Sequence, residues 1–255
     1  MLLAIDVGNT HTVLGLYDGQ KLEHHFRIQS ERNRTEDEYQ VLLVTLLNIV
    51  GLEPEDVDSS ILASVVPALT DRIVRAVRRA FNHETLVVGP GIKTGMPILY
   101  ENPKEVGADR IVNSIAAYER IHGGVIVVDF GTATTFDCVS NRGEYLGGVI
   151  APGITLSAEA LFARAARLPK TEIVKPPHVL GRNTVHAMQS GLIFGYVGLV
   201  DGIVERLQVE MGYPCAVLAT GGDAPLIASE SKTIQETDEF LTLDGLRLLY
   251  GRQAR

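Results

Sequence analysis

The spacing of hydrophobic and polar positions along the 255 residues predicts an α/β chain. Leu2–Val7 is a short apolar run that ends in Gly8-Asn9, which is typical of a buried strand followed by a tight turn. Thr12–Tyr17 and Lys21–Ile28 predict two more strands, joined by the hairpin-turn pair Asp18-Gly19. The chain therefore opens with a predicted meander of three antiparallel strands.

The same order of strands and turns begins again in the second half of the chain. Gly124–Asp129 predicts an apolar strand, and Thr135–Val139 and Gly147–Ile150 predict two further strands after it. Residues 4–9, AIDVGN, align directly with residues 127–132, VVDFGT. The separation between the two copies is much larger than the repeat period of a solenoid protein, which is roughly 20–50 residues. It predicts two similar α/β domains that face each other across a cleft.

Apolar residues at helical spacing predict helices between and after these strands. The first helix has the clearest boundaries, because Thr35 is a good N-cap, Glu38 completes a capping box and Gly51 ends the helix. The predicted helices are Thr35–Val50, Leu69–Phe81, Gly107–His122, Val185–Met211 and Thr242–Tyr250. The other predicted strands are Ser60–Val66, Leu86–Val88 and Cys215–Ala219. We place the domains at residues 1–115 and 116–255, with the last helix packing back on the first domain.

Charge and composition narrow the possible partners. The net charge of −8 and the pI near 5.4 argue against nucleic acid, because phosphate backbones need a basic surface. No apolar run approaches the roughly 20 residues that span a bilayer, and Met1–Ile5 lacks the basic region of a signal peptide. We therefore expect no membrane partner and a cytoplasmic location. Cys138 and Cys215 are too few for a disulfide framework and are expected to be buried.

The repeated Asp-x-Gly turn suits the phosphates of a nucleotide. Glycine lets the turn adopt a positive φ and lets the backbone approach a ligand, so that successive N–H groups can converge on phosphate oxygens. Asn9, Thr10 and Thr132 add side-chain donors. Because Asp6 and phosphate are both anionic, Asp6 is expected to hold a cation such as Mg²⁺, directly or through water. Either turn alone is also an ordinary Asp-capped β-turn, but two copies favour the nucleotide.

A third glycine turn, Ala219-Thr220-Gly221-Gly222, follows a predicted buried strand, and its glycines would let an adenosine lie against the backbone. The three turns together resemble the phosphate-1, phosphate-2 and adenosine motifs of the actin, sugar-kinase and heat-shock ATPase superfamily. This resemblance implies an α/β fold of two ribonuclease-H-like (actin-like ATPase) domains. Each would be a mixed five-stranded sheet with flanking helices, and the two would close on ATP around a nucleotide cleft.

Four further segments resemble type III pantothenate kinase, and the match extends in order and spacing over essentially the whole chain. They are Tyr100–Pro103, Gly107–Arg110, Asp129–Thr135 and Gly147–Gly153. The resemblance implies transfer of the γ-phosphoryl group of ATP to the terminal hydroxyl of pantothenate, giving 4′-phosphopantothenate in the first step of coenzyme A biosynthesis. It also implies Mg²⁺, a monovalent cation (K⁺ or NH₄⁺) and a homodimer.

The same resemblance implies roles for individual residues. Asp109 corresponds to the family's general base, and Asp129 to the ligand of the monovalent cation. The implied ATP contacts are Asp6, Val7, Gly8, Asn9, Thr10, His11, Thr12, Val13 and Thr132. The implied pantothenate contacts are Tyr100, Gly107, Ala108, Asp109, Arg110 and Thr184, the last from a neighbouring segment or across the dimer.

The residue types support this chemistry and leave simpler interpretations open. A carboxylate can accept the proton of a hydroxyl, the fork of Arg110 suits a substrate carboxylate, and a helix beginning at Gly107 offers its N-terminus to an anion. Equally, Asp109 suits the helix dipole and Arg110 an ion pair on the same helix. Tyr100 could be a packed surface aromatic and Thr184 a helix N-cap.

Two other functions fit the same motifs. The Arg110 clamp suits any carboxylate, so a kinase for another small hydroxy acid, or a phosphatase on the same scaffold, is an alternative. A nucleotide-binding regulator without turnover is the second alternative. The presence of Asp6, Asp109 and Asp129 favours an enzyme over a regulator, because a degenerate relative tends to lose its carboxylates.

Overall fold

The computed structural model describes residues 1–165 and 168–253, and strands and helices alternate along them. The strands are β1 (Leu2–Val7), β2 (His11–Asp18), β3 (Lys21–Gln29), β4 (Ser59–Ser64), β5 (Leu86–Val87), β6 (Val125–Phe130), β7 (Ala133–Val139), β8 (Tyr145–Pro152), β9 (Ala216–Gly221) and β10 (Glu236–Thr237). The helices are α1 (Glu36–Ile49), α2 (Pro67–Phe81), α3 (Ala108–Ile121), α4 (Ile154–Arg164), α5 (Thr184–Met211), α6 (Ala224–Ala228) and α7 (Leu241–Gln253). Single 3₁₀ turns occur at Pro54–Asp56 and Pro103–Glu105.

The strands form two mixed five-stranded sheets with the same strand order. The first sheet runs β3-β2-β1-β4-β5, and the second runs β8-β7-β6-β9-β10 in the matching direction. Each contains an antiparallel meander of three strands followed by two parallel strands. The predicted pair of mixed five-stranded sheets with flanking helices is therefore confirmed.

The contacts divide the chain into two compact units. Unit 1 comprises Met1–Gly95, Glu101–Ala116 and the C-terminal segment that begins at Leu241. Unit 2 comprises Met96–Tyr100 and Ala117–Phe240. The chain thus passes from unit 1 into unit 2 within α3, and returns at the start of α7.

In unit 1, helices cover both faces of the first sheet. Leu14 and Leu16 of β2 face the side covered by α1 and α2, where they join one buried apolar cluster. Gly15 lies between them on the other face, where a Cβ would lie 2.8 Å from Leu243 of α7. α1 begins as predicted, because Thr35 and Glu38 form the capping box. α7 contacts β1, β2 and β4, so it packs on the central strands of this sheet.

In unit 2, the long helix α5 supplies one side of the core. Leu192, Ile193, Tyr196, Val200 and Val204 pack in a cluster with apolar residues of β6, β7 and β9. By length and composition α5 is apolar enough to cross a membrane, with a mean hydropathy of 1.4 over an 18-residue window. Half of that window is buried inside the protein, as in the core helix of a globular unit. Counting uninterrupted apolar runs in the sequence does not single out this helix.

Several elements differ from the predicted ones for identifiable reasons. The strand predicted to run to Val66 ends at Ser64, because Pro67 begins α2 at the N1 position that proline favours. α4 is not predicted from the sequence: Gly153 provides no side-chain cap, and only Ile154 and Ala158 of this helix are buried. α6 and β10 are not predicted either, and both are very short.

Candidate active site

The first phosphate turn, residues 6–10, lies at the end of β1 in unit 1, and hydrogen bonds hold its backbone in place. The N–H of Gly8 donates a hydrogen bond to the carbonyl oxygen of His11 at 3.0 Å, which closes the turn. The N–H of Ser30 donates to the carbonyl oxygen of Thr10 at 2.9 Å. Beneath the turn, the buried hydroxyls of Thr12 and Ser30 are hydrogen-bonded at 2.9 Å. The tip of the turn itself is exposed, so it presents its polar groups to solvent.

The side-chain oxygens of this turn are suitable ligands for a divalent cation. Asp6, Asn9 and Thr10 offer a carboxylate, an amide and a hydroxyl oxygen, which are ligand types that Mg²⁺ prefers. Arg32 lies beside the turn, and its Nη2 donates a hydrogen bond to Oδ1 of Asn9 at 3.3 Å. Sequence reasoning missed Arg32, because it lies in a polar segment after β3 and belongs to no motif. It adds an exposed positive charge next to the predicted phosphate site.

The expected positive φ is wrong for the glycines of both phosphate turns. Neither Gly8 nor Gly131 is among the glycines with positive φ. Limited space favours glycine at position 8, because a Cβ there would lie 3.0 Å from the carbonyl oxygen of His11. At position 131 a Cβ would lie 3.6 Å from the carbonyl oxygen of Ala133, which is an ordinary contact.

The second phosphate turn, in unit 2, is enclosed by backbone from two other segments. The N–H of Gly153 donates to the carbonyl oxygen of Thr132 at 3.1 Å, and a Cβ on Gly153 would lie 2.4 Å from that oxygen. On the other side, Gly221 of the third glycine turn has φ 95°, and its Cβ would lie 2.4 Å from the carbonyl oxygen of Phe130. Both glycines are therefore required for close backbone approach. Parallel pairing of β6 with β9 places Asp129 beside Thr220, so the second and third turns meet at one sheet edge.

The first turn of α3, in unit 1, carries the proposed base and clamp. Asp109 is partly buried, and its Oδ1 accepts a hydrogen bond from the N–H of Arg110 at 2.8 Å. Burial raises the pKa of Asp109, although the hydrogen bond from the Arg110 backbone and the Arg110 charge act in the opposite direction. Arg110 is buried, with 8% of its surface exposed. Gly107 leaves room for the carboxylate, because a Cβ there would lie 2.5 Å from Oδ1.

This environment suits proton transfer. A carboxylate whose pKa is raised by burial is a stronger base than one in water, and its pKa moves towards the pH at which a kinase works. Partly buried ionisable groups with perturbed pKa values are also concentrated at functional sites. The simpler interpretation of Asp109, a residue that favours the helix dipole, explains neither the burial nor the contact with Gly107.

Tyr100 packs in unit 2 against the start of β8. Its ring lies 6.3 Å from that of Tyr145 and against Gly147, where a Cβ would lie 3.6 Å from the ring. The hydroxyl of Tyr145 in turn donates a hydrogen bond at 2.8 Å to Oδ1 of the buried Asp137. Tyr100 is thus a half-buried aromatic on a rigid support, which is compatible with either a packing or a binding role.

Thr184 is the exposed first residue of α5. The interpretation of Thr184 as the N-cap is wrong by one residue, because Oδ1 of Asn183 accepts the hydrogen bond from the N–H of His186 at 2.8 Å. Thr184 lines a cavity of about 780 Å³. The other lining residues are Ser157, Leu161, Leu168, Gly181, Arg182, Asn183, Ala187, Met188, Gly191 and Leu192. None of the other predicted site residues lines this cavity.

Metal ligands are sparse in the described parts of both units. Among residues 1–165 and 168–253, no group of three or more His, Cys, Asp or Glu side chains could hold a metal ion. A cation at Asp6 or Asp129 would therefore need further ligands, which phosphate oxygens and water can supply. Such sites are typical of enzymes that bind a metal together with a nucleotide.

Two sheets of identical strand order, each with a glycine phosphate turn after its central strand, define the class of the protein as an actin-like kinase or ATPase fold. Solved structures with this fold superpose over nearly the whole chain. A protein from Campylobacter jejuni assigned to the Baf family of transcriptional activators has a TM-score of 0.61 at 20% identity, covering 99% of this chain and 98% of that one. The inorganic polyphosphate/ATP-glucomannokinase of Arthrobacter sp. strain KM has a TM-score of 0.53 at 14% identity, with the same coverage.

Sequence comparison then identifies the family. The model of type III pantothenate kinase matches residues 2–206. The type III pantothenate kinase of Myxococcus xanthus is 59% identical over 252 residues, 99% of this chain and 98% of that protein. The enzyme of the same description from Moorella thermoacetica is 54% identical over 252 residues, 99% of each chain. The chain belongs to the type III pantothenate kinase family and is an ATP-dependent kinase.

Proposed function

We propose that this protein transfers the γ-phosphoryl group of ATP to the terminal hydroxyl of pantothenate, giving 4′-phosphopantothenate in the first step of coenzyme A biosynthesis. The observation that carries the chemistry is the first turn of α3, where the Asp109 carboxylate with its raised pKa adjoins the buried guanidinium of Arg110. Membership of the family supports the choice of pantothenate over another hydroxy acid.

Asp109 acts as the general base in this proposal. The substrate oxygen forms a bond to the γ-phosphorus while its proton moves to the Asp109 carboxylate. The bond between the γ-phosphorus and the β,γ-bridging oxygen breaks, and ADP leaves with that electron pair. Burial assists this step, because the raised pKa of Asp109 makes its carboxylate a better proton acceptor.

Pantothenate is held by its carboxylate. The guanidinium of Arg110 clamps the carboxylate, and Gly107 and Ala108 let the substrate approach the start of α3. Tyr100 and Thr184 are the further substrate contacts in this proposal. Arg110 can serve in this way because its burial strengthens a charge-assisted hydrogen bond relative to one in water.

ATP contacts the first phosphate turn, from Asp6 through Val13, and the side chain of Thr132 in the second turn. Asp6 would hold Mg²⁺ through water, and Asp129 would hold the monovalent cation, K⁺ or NH₄⁺. When bound, these cations neutralise charge on the phosphates. The exposed Arg32 beside Asn9 adds a further positive charge at the first turn.

The enzyme is proposed to act as a cytoplasmic homodimer. Exposed apolar side chains of unit 2 support the dimer. Leu161 lines the cavity at Thr184. The others lie within two residues in sequence of residues that line it, and they are Leu156, Val179, Leu180 and Val185. A second copy of the chain would remove this apolar surface from water and cover Thr184.

The test is an assay of ADP release with ATP, Mg²⁺ and a panel of hydroxy acids, in buffers containing K⁺, NH₄⁺ or Na⁺. We expect turnover with pantothenate, and faster turnover with K⁺ or NH₄⁺ than with Na⁺. Product mass should show one added phosphoryl group. Preference for another hydroxy acid would contradict the substrate, and equal rates in all three salts would contradict the role of Asp129.

A further inference from the structure

The first turn of α7 contacts α3 directly, within unit 1. Oγ1 of Thr242 donates a hydrogen bond to Oδ1 of Asn113 at 2.7 Å, and Asn113 is fully buried. A Cβ on Gly245 would lie 2.2 Å from the carbonyl oxygen of Val112. Only glycine allows two helix backbones to approach this closely. The contact is therefore specified by both a hydrogen bond and a shape requirement.

The contacted part of α3 is the turn that follows Asp109. Val112 and Asn113 are three and four residues after Asp109, so they lie on the same face of the helix one turn away. The Asp109 carboxylate is bonded to the N–H of Arg110 in its own turn. Its position consequently follows the position of the α3 backbone.

α7 is also fixed on the sheet that carries the first phosphate turn. It contacts β1, the strand that ends in this turn, and Leu243, Leu246 and Leu249 are buried. On β2, the hydroxyl of Tyr17 donates a hydrogen bond to Oδ1 of Asp244 at 3.0 Å. α7 thus joins β1, which presents the phosphate turn, to α3, which presents the base.

We infer that Thr242 and Gly245 are positioning residues that hold Asp109 at its working distance from the first phosphate turn. The inference rests on the proposed function of Asp109. Neither residue belongs to the motifs described above, and both lie beyond residue 206, where the match to the family model ends. The C-terminal helix is therefore part of the catalytic architecture, although none of its residues is assigned to a substrate.

The test compares two variants that each remove one hydrogen bond from α7. Thr242→Val removes the bond to α3, and Tyr17→Phe removes the bond to the sheet. We expect Thr242→Val to lower kcat about tenfold with little change in KM for ATP, since a small displacement of a catalytic group is costly. Tyr17→Phe should change kcat far less at a similar loss of thermal stability, because the buried Leu243, Leu246 and Leu249 still hold α7 on the sheet. Thr242→Ser, which keeps the hydroxyl, should restore kcat.

A double variant separates this inference from the proposed function. If Thr242 acts through Asp109, Thr242→Val should cause no further loss of kcat in an Asp109→Asn background. An equal fold-loss in both backgrounds would overturn the inference, as would equal kcat values for Thr242→Val and Tyr17→Phe. Wild-type turnover by Asp109→Asn alone would instead overturn the proposed function and this inference with it.

Discussion

Asp109 is placed by its immediate neighbours in α3. The N–H of Arg110 fixes one carboxylate oxygen, and the missing side chain at position 107 leaves room for the same atom. Sequence reasoning could identify Gly107, Asp109 and Arg110 as a motif because they are contiguous. It could not predict the burial that raises the pKa of Asp109, because burial depends on packing by distant segments of the chain.

The space at position 107 leads to a prediction about kcat. In Gly107→Ala the new Cβ would lie 2.5 Å from Oδ1 of Asp109, so the carboxylate must move while the fold is kept. We expect kcat to fall about tenfold to a hundredfold, as for other misplaced catalytic groups, with little change in thermal stability. Gly251→Ala in α7 is the matched control, because nothing lies within 4 Å of its Cβ. Equal kcat values for the two variants would show that the space is not needed.

The raised pKa of Asp109 also predicts an effect on stability. A carboxylic acid whose folded-state pKa lies above its ordinary value of 3.8 stabilises the fold fully only below that value. Its contribution is lost as the pH rises through the folded-state pKa. Asp109→Asn, which cannot ionise, should therefore melt at a higher temperature than the wild type near neutral pH. The difference should shrink as the pH approaches 4; melting curves that differ equally at both pH values would contradict the assignment.

At the scale of elements, most strands and long helices follow from the hydrophobic pattern alone. β1, β2, β3 and α1 are bounded by clear turn or cap residues, and their predicted bounds are correct to within about one residue. α4 has neither a side-chain cap nor a broad buried face, so its pattern is too weak to read. The tight packing of Gly153 and Gly221 around the second phosphate turn joins segments far apart in sequence, which no local pattern encodes.

α5 depends on a buried carboxylate that no motif signals. Asp201 accepts hydrogen bonds from the hydroxyls of Ser231 and Thr233 at 2.6 and 2.9 Å, and from the N–H of Lys232 at 3.1 Å. Burial acts to raise the pKa of Asp201, but these hydrogen bonds outweigh it and lower the pKa. The carboxylate thereby ties α5 to the loop that precedes β10.

Asp201→Asn should consequently destabilise the protein by about 2 kcal/mol, the typical value for hydrogen bonds to a charged group. Because the folded-state pKa lies below 3.8, the stabilisation is present above that pH and is lost as the pH falls through the folded-state pKa. The loss in the variant should therefore be largest at neutral pH and smaller in acid. Glu205→Gln, on an exposed position of the same helix, is the control for denaturant titrations. A variant as stable as this control would contradict the role of Asp201.

At the scale of the whole molecule, the internal repeat was the most informative sequence feature. It predicted two sheets of one design before any residue role was considered, and the identical strand orders confirm it. The homodimer remains a proposal that rests on the resemblance to the family and on exposed apolar side chains. Pattern reasoning could not locate that surface, because the segment around Leu180 lies outside the predicted helices and strands.

Leu180 provides a test of the dimer. It is 76% exposed, beside the cavity that Thr184 lines, so a second copy covering this surface would bury it. Leu180→Glu should shift the protein from dimer to monomer in sedimentation experiments and raise KM for pantothenate, with the melting temperature of the units little changed. Val209→Glu, on a residue that is 83% exposed in α5, is the control and should remain dimeric. A monomeric wild type would contradict the proposal.

The central claim, that Asp109 is the general base, is tested most directly by the kcat of Asp109→Asn at saturating ATP and pantothenate. The substitution keeps the size of the side chain and removes its capacity to accept the hydroxyl proton. We predict a correctly folded protein whose kcat is lower by a factor of roughly 10²–10⁴, the usual contribution of a general base. A kcat equal to that of the wild type would contradict the account.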